Sequence, residues 1–130
     1  MKLVINNCYG GYSLSAKAMK MYYGLKGIEC YFFNYSLGDK NTEISLEEAQ
    51  QIYFGAYSVK TSKRDHNTYL TNSPEDRTDP DLVRVVETLG EEANGRCAEL
   101  KVINIPDGIK WEIDDYDGIE TVNEVHRSWS

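Results

Sequence analysis

The sequence predicts a single small domain of mixed α/β class over residues 1–130, with a central mixed sheet, two main helices, a short helix and a C-terminal antiparallel hairpin. Two observations predict this class. Apolar stretches of strand length are interspersed with stretches of helical periodicity, and an Asp-Gly pair separates two alternating segments near the end. A chain of 130 residues can form one core that removes roughly two-thirds of the unfolded surface from water.

The N-terminal third predicts a strand, a helix and a second strand. The strands are Lys2–Asn6, around an apolar Leu-Val-Ile run, and Ile28–Phe33, where β-branched and aromatic residues concentrate. Ser13 or Ser15 can cap a helix that runs to about Lys26 and is followed by Gly27 as its C′ residue. Its predicted apolar face consists of Leu14, Ala18, Met21, Tyr22 and Leu25.

The middle of the chain is less regular. Ser45-Leu46-Glu47-Glu48 matches a capping box and predicts a short helix that ends near Tyr53 or Phe54. The polar stretch 55–72, with scattered β-formers, predicts a loosely specified hairpin or a long loop.

The remaining elements have clear boundaries. Asp79 followed by Pro80 predicts the start of the second main helix, and Asn94-Gly95 predicts its stop. The apolar stripe of this helix is Leu82, Val85, Val86 and Leu89. Further strands are predicted at 100–105 and 109–114, and the Asp117-Gly118 turn predicts a return strand over 119–126.

Composition excludes several classes of function. The formal net charge of −7, from 14 basic and 21 acidic side chains, disfavours binding to a nucleic-acid backbone. No apolar run approaches the roughly 18 residues of a spanning helix, and the first residues turn polar too soon for a signal peptide. The three cysteines, Cys8, Cys30 and Cys97, form no C-x-x-C pair, so we expect no disulfide framework, no zinc site and a reducing cytoplasm.

The turn after the first strand is the leading candidate for a ligand site. Gly10, Gly11 and Tyr12 would offer backbone N–H groups to an anion at a helix N-terminus, and Ser13 and Ser15 would offer hydroxyls. Tyr9 and Tyr12 would offer faces for stacking on a base or ribose. A double glycine before a capped helix is also explained by turn chemistry alone, and this one matches no dinucleotide or P-loop motif.

Cys8 lies in the same turn, where a helix N-terminus can activate a thiol. A cysteine nucleophile needs a base, and the histidines are His66 and His126. A small structural thiol is the alternative interpretation.

Arg77, His126, Arg127 and Trp129 complete the predicted ligand site. Arg77 and Arg127 would pair with phosphate, and Trp129 would stack on a base. The alternatives are a solvated Arg77 and a terminal strand whose Trp129 packs on the domain edge.

The acidic side chains concentrate in the C-terminal hairpin. Asp115 and Asp117 have the spacing of the first two ligands of a calcium loop, but the later ligands are missing. A solvated face is one interpretation, and an acidic surface that docks on a basic partner is the other.

Three parts of the chain contain motifs on which a resemblance to a known family is based. They are VINNCYGGYSLS at 4–15, RTDPDLV at 77–83 with the helix through Asn94-Gly95, and the C-terminal motifs AELKV, IPD, WEI, YDG and EVHRSW. In these motifs the chain resembles a family of small proteins encoded by bacteriophages and prophages. The resemblance implies the cytoplasm of an infected bacterial host and an action on host machinery.

These observations predict a phage-encoded cytoplasmic protein that binds a nucleotide-derived ligand without turnover or cofactor and forms a homo-oligomer. Sequestration of a host immune signal is the wider hypothesis. One alternative is an enzyme that processes nucleotides or nucleosides at the Gly10-Gly11 turn, with Cys8, Ser13 or His126 reactive. Another is an acidic inhibitor that binds a host protein.

Overall fold

The computed structural model describes residues 1–34, 42–52, 57–62 and 69–125. The strands are β1 Lys2–Asn6, β2 Tyr31–Asn34, β3 Thr42–Ile44, β4 Tyr57–Lys60, β5 Leu100–Asn104, β6 Trp111–Tyr116 and β7 Ile119–Glu124. The helices are α1 Ala16–Leu25, α2 Leu46–Gln50 and α3 Pro80–Leu89, followed by a 3₁₀ helix Gly90–Ala93. The predicted mixed α/β class and the C-terminal antiparallel hairpin are confirmed.

The described strands form three small antiparallel sheets, whereas the sequence predicted one central mixed sheet. β1 pairs with the distant β5, with Val4 opposite Val102. β2 lies between β3 and β4, so both of its edges are occupied. The strands that flank α1 therefore belong to different sheets, because each has an antiparallel partner elsewhere in the chain.

The segment 55–72 contributes more structure than predicted. β4 pairs with β2, and the N–H of Leu70 donates to the carbonyl of Val59 at 2.8 Å. β3, which the sequence did not predict, adds the other edge of this sheet. Residues 53–56 and 63–68 lie outside the described part of the chain.

The helix starts follow the local capping chemistry. Ser15, the second of the two predicted candidates, caps α1 by accepting a hydrogen bond from the N–H of Ala18. The Ser45–Glu48 capping box is present, although α2 ends at Gln50, earlier than predicted. Asp79 caps α3.

The ends and buried faces of the helices depend on their neighbours. α3 stops at Gly90, which has a φ of 58°, and not at Asn94-Gly95. The buried residues of α1 are Ala16, Ala18, Met19, Tyr22 and Tyr23, whereas the predicted Leu25 is exposed. The buried face differs from the predicted one because α1 packs against α3, α2 and the 3₁₀ helix.

One core connects these elements. Its members come from β1, α1, the β3-β2-β4 sheet and α3, and include the fully buried Val4, Leu14, Met19, Val59 and Leu82. Leu14 is part of this core although it precedes α1. Its burial fixes the segment that leads into α1 from the turn at Gly10 and Gly11, which we call the glycine turn.

Candidate functional site

A cleft of about 680 Å³ opens beside the N-terminus of α1. Its walls come from the segment before α1, the C-terminal end of α2, the strand β4 and the loop after the 3₁₀ helix. The volume falls within the range of small-molecule sites, roughly 300–1,000 Å³.

Backbone hydrogen bonds hold the wall before α1 between two loops. The N–H of Leu14 donates to the carbonyl of Asn72 at 2.8 Å, and the N–H of Ser15 donates to that of Ala93 at 2.9 Å. The N–H of Gly95 donates to the carbonyl of Ser13 at 2.9 Å. A Cβ at Gly95 would collide with the Ser13 hydroxyl and lie 2.8 Å from its carbonyl carbon, so only glycine permits this approach.

Hydroxyl and amide groups dominate the polar lining. Ser15 is occupied, because its Oγ donates to the carbonyl of Glu92 at 2.7 Å while it caps α1. Gln50 uses its Oε1 to accept from the N–H of Lys17 at 3.0 Å, and Asn94 uses its Oδ1 to accept from Leu100 at 2.8 Å. The amide nitrogens of Gln50 and Asn94 make no hydrogen bond among the described residues and can serve a ligand.

The charged residues of the lining are Glu91, Glu92 and Arg96. Glu92 forms an ion pair with Lys17 at 3.3 Å, and both side chains are largely exposed. Arg96 also interacts within the protein.

The glycine turn packs against other parts of the protein. The N–H of Gly10 donates to the carbonyl of Asp117 at 3.2 Å. A Cβ at Gly10 would lie 2.5 Å from Cβ of Cys97, and one at Gly118 would lie 2.5 Å from the nitrogen of Gly11. Close approach of Cys97 therefore accounts for Gly10, a positive φ of 116° accounts for Gly11, and the Gly10 N–H predicted for an anion is already paired.

A buried ion pair lies next to this turn. Arg77 and Glu120 form a bidentate pair, with both N–O distances at 2.7 Å, and their side chains are 14% and 5% exposed. The guanidinium of Arg77 also stacks on the Tyr12 ring, 3.4 Å from its centroid, and donates to the carbonyl of Val4 at 3.2 Å.

Asn6 extends this network to the tip of the β6–β7 hairpin. Its fully buried side chain donates to the carbonyls of Cys8 and Gly118, at 2.8 and 2.6 Å, and accepts from the N–H of Glu99 at 2.8 Å. Its backbone N–H donates to Glu120 at 2.8 Å. We call Asn6, Tyr12, Arg77, Gly118 and Glu120 the hairpin junction.

The Tyr12 phenol is neutral at physiological pH. Burial raises its pKa far above the ordinary value, and the nearby Arg77 lowers it only in part. Its hydroxyl donates to the carbonyl of Pro74 at 2.9 Å. Tyr12 thus joins the loop before α3 to the turn, and its ring contacts a protein guanidinium.

The structure divides the predicted site residues into three groups. Gly10 and Ser13 line the cleft. The others at the turn do not line it: Cys8 and Gly11 are half-buried, Tyr9 is 61% exposed, and Tyr12 and Arg77 belong to the hairpin junction. His126, Arg127 and Trp129 lie outside the described residues and stay predictions.

Several lining residues were not predicted. They are Gln50, Gln51, Asn72, Glu91, Arg96 and Cys97, together with Asn94 and Gly95, which were interpreted only as a helix stop; Ser15, predicted beside Ser13 as a hydroxyl donor, also lines the cleft. The β-bridge between Leu14 and Asn94 brings Asn94 and Gly95 next to the segment before α1. A contact across 80 residues of chain leaves no local pattern in the sequence.

Comparison with known proteins finds no matching family model, no matching curated protein and no matching solved structure. Within the described ranges, no group of three or more His, Cys, Asp or Glu residues could hold a metal ion. None of the helices in those ranges is both long enough and apolar enough to cross a membrane.

Proposed function

We propose that this chain binds a small nucleotide-derived ligand in the cleft beside α1. The observation that carries the proposal is a cleft of about 680 Å³ at the turn chosen from the sequence, with Gly10 and Ser13 in its wall. Hydroxyl and amide groups around a cavity of this size can hydrogen-bond the sugar and the base edges of such a ligand.

The proposed role is binding without turnover. Ser15, Gln50 and Asn94 each give one side-chain oxygen to the scaffold, so these lining side chains are held in place before a ligand arrives. Pre-ordered groups bind with a smaller loss of side-chain entropy. The resemblance to phage-encoded proteins supports the wider proposal that an oligomer of this chain sequesters a host defence signal in the cytoplasm.

The test is binding of a panel of nucleosides, nucleoside monophosphates, cyclic nucleotides and ADP-ribose, measured by thermal shift and native mass spectrometry. We expect at least one member to bind and to be recovered unchanged after denaturation. Recovery of a converted product in excess over protein would favour the enzyme alternative. The absence of binding by the whole panel would contradict the proposal.

A variant pair connects binding to the cleft. Gln51 is exposed on the cleft wall, so Gln51→Trp fills the space without disturbing the core. Lys20 is exposed on α1 outside the cleft, and Lys20→Trp is the matched control. Binding should be lost in the first variant and kept in the second. Equal binding by both would place the ligand elsewhere.

The outer face of the β6–β7 hairpin supports the second candidate, an acidic surface for a basic host protein. Glu112 and Asp114 are exposed there, whereas Glu120 is buried in the hairpin junction. Replacing Glu112 and Asp114 by Lys should abolish an inhibitory activity of this kind and leave ligand binding unchanged.

A further inference from the structure

We infer that the cleft takes the uncharged nucleoside part of its ligand, the base and the sugar, and that phosphate groups stay outside it. The inference rests on the proposed function and specifies the ligand class of the same site. Three features of the cleft carry it: its charges, its backbone donors and its hydrogen-bonding side chains.

The charges around the cleft give a phosphate no net attraction. Glu91 and Glu92 contribute two carboxylates, and Arg96 contributes one guanidinium that already interacts within the protein. The nearby Lys17 is paired with Glu92 at 3.3 Å. A doubly charged phosphate would therefore meet at least as much negative as positive charge, in a chain whose net charge is already −7.

Several backbone donors around the cleft already have partners within the protein. Phosphate sites at helix N-termini depend on N–H groups that have no partner in the protein. Here the N–H of Lys17 donates to Gln50, that of Ala18 to Ser15, and that of Gly95 to Ser13. The N–H of Gly10 donates to Asp117 on the far side of the turn.

The uncharged side chains of the lining suit a neutral ligand made of a heterocyclic base and a sugar. The Ser13 hydroxyl makes no hydrogen bond among the described residues, and Gln51 adds an amide that can both donate and accept. Tyr57, buried in the cleft wall, contributes an aromatic ring, and burial raises its pKa to about 12, so it carries no charge. These groups match ribose hydroxyls and base edges, whose recognition needs no cation.

The test compares four nucleosides (adenosine, guanosine, cytidine and uridine) with their 5′-monophosphates and 5′-triphosphates by isothermal titration calorimetry. We expect the nucleoside that binds to be at least as tight as its monophosphate, and the triphosphate to be weaker by about tenfold or more, which is roughly 1.4 kcal/mol. A monophosphate that binds about tenfold more tightly than its nucleoside would overturn the inference and leave the proposed function standing. No binding by any of these compounds would overturn the inference, and the proposed function would fail as well only if the cyclic nucleotides and ADP-ribose of its own panel also did not bind.

The variant Glu91→Gln tests the cause. Its side chain is exposed at the cleft, and removal of its charge should raise the affinity for the monophosphate severalfold relative to the nucleoside. Glu75→Gln, at an exposed position outside the cleft, is the matched control and should leave this ratio unchanged. The inference fails if the ratio is the same in wild type and Glu91→Gln.

Discussion

The cleft and the hairpin junction both border one glycine turn and use polar groups in opposite ways. In the junction the charges of Arg77 and Glu120 are buried and satisfied by each other, by Asn6 and by the Tyr12 ring. In the cleft the Ser13 hydroxyl and the amide nitrogens of Gln50 and Asn94 have no hydrogen-bond partner in the part of the chain that the structure describes. Polar residues that look alike in the sequence thus divide into a set that holds the fold together and a set that can hold a ligand.

The difference follows from water access. Removing one partner of a buried ion pair is strongly destabilising, because the other charge is left buried without its partner and cannot recover its hydration. A polar group that faces an open cleft is solvated in the free protein and exchanges water for ligand. Mutations in the junction should therefore reduce stability, and mutations in the cleft should reduce binding.

The largest expected effect is that of Glu120→Ala. The substitution leaves Arg77 buried without its carboxylate and removes the acceptor of the Asn6 N–H, so we expect a loss of about 3–5 kcal/mol in the free energy of unfolding. Urea denaturation measures it. Glu112→Ala, at an exposed position of the same hairpin, should change stability by less than about 0.5 kcal/mol. Equal effects at the two positions would contradict the separation of the two regions.

A smaller effect is expected for Gly118→Ala. Gly118 has a φ of 94°, and an added Cβ would lie 2.5 Å from the nitrogen of Gly11. Backbone strain accounts for about 1 kcal/mol and the collision for about 1–3 more. Gly108→Ala is the matched control, because its φ is 80° with no atom within 4 Å of the new Cβ, and it should show the strain alone. If both variants lose the same free energy of unfolding in urea, the expected collision between a Cβ at Gly118 and the backbone of Gly11 is wrong.

Acid should reduce the stability of the fold through Asp79, the N-cap residue of α3. Burial raises the pKa of Asp79, but hydrogen bonds from Lys26 and Tyr22 outweigh it and hold the pKa below the ordinary value of 3.8. The unfolded chain therefore binds the proton more tightly, so this carboxylate contributes its full stabilisation above 3.8 and loses it as the pH falls through the folded-state pKa. In urea titrations at decreasing pH, Asp79→Asn should show a shallower loss of stability than wild type. A parallel loss in both would rule out this linkage.

The smallest effect on stability is expected for Ser13→Ala. Its Oγ has no hydrogen bond among the described residues, so unfolding should change by less than about 0.5 kcal/mol. The affinity for a bound nucleoside should fall by a factor of about 2–12, the equivalent of one hydrogen bond at roughly 0.5–1.5 kcal/mol. Unchanged affinity would mean that the Ser13 hydroxyl does not contact the ligand. A large loss of stability would mean that it stabilises the fold, as the residues of the hairpin junction do.

The local sequence was sufficient where a structure depends on a few consecutive residues. The Ser45–Glu48 capping box, the Asp79-Pro80 helix start and the Asp117-Gly118 turn all occur as predicted. Gly10 and Ser13 were also predicted from a local pattern, a glycine turn before a capped helix; both line the cleft, and their role in binding a ligand stays a prediction. The buried face of α1 was predicted only in part, since two neighbouring apolar stripes exist and packing selects one.

The sequence by itself determined the mixed α/β class, the starts of the helices and the turn of the C-terminal hairpin, because capping, turn and periodicity preferences act over a few residues. Only the tertiary structure decided that β1 pairs with β5, that Arg77 faces Glu120, and that Ser13 meets Gly95. Each of these contacts joins residues far apart in the chain. Such a contact is chosen by competition among all possible partners for burial and hydrogen bonding, which no short stretch of sequence contains.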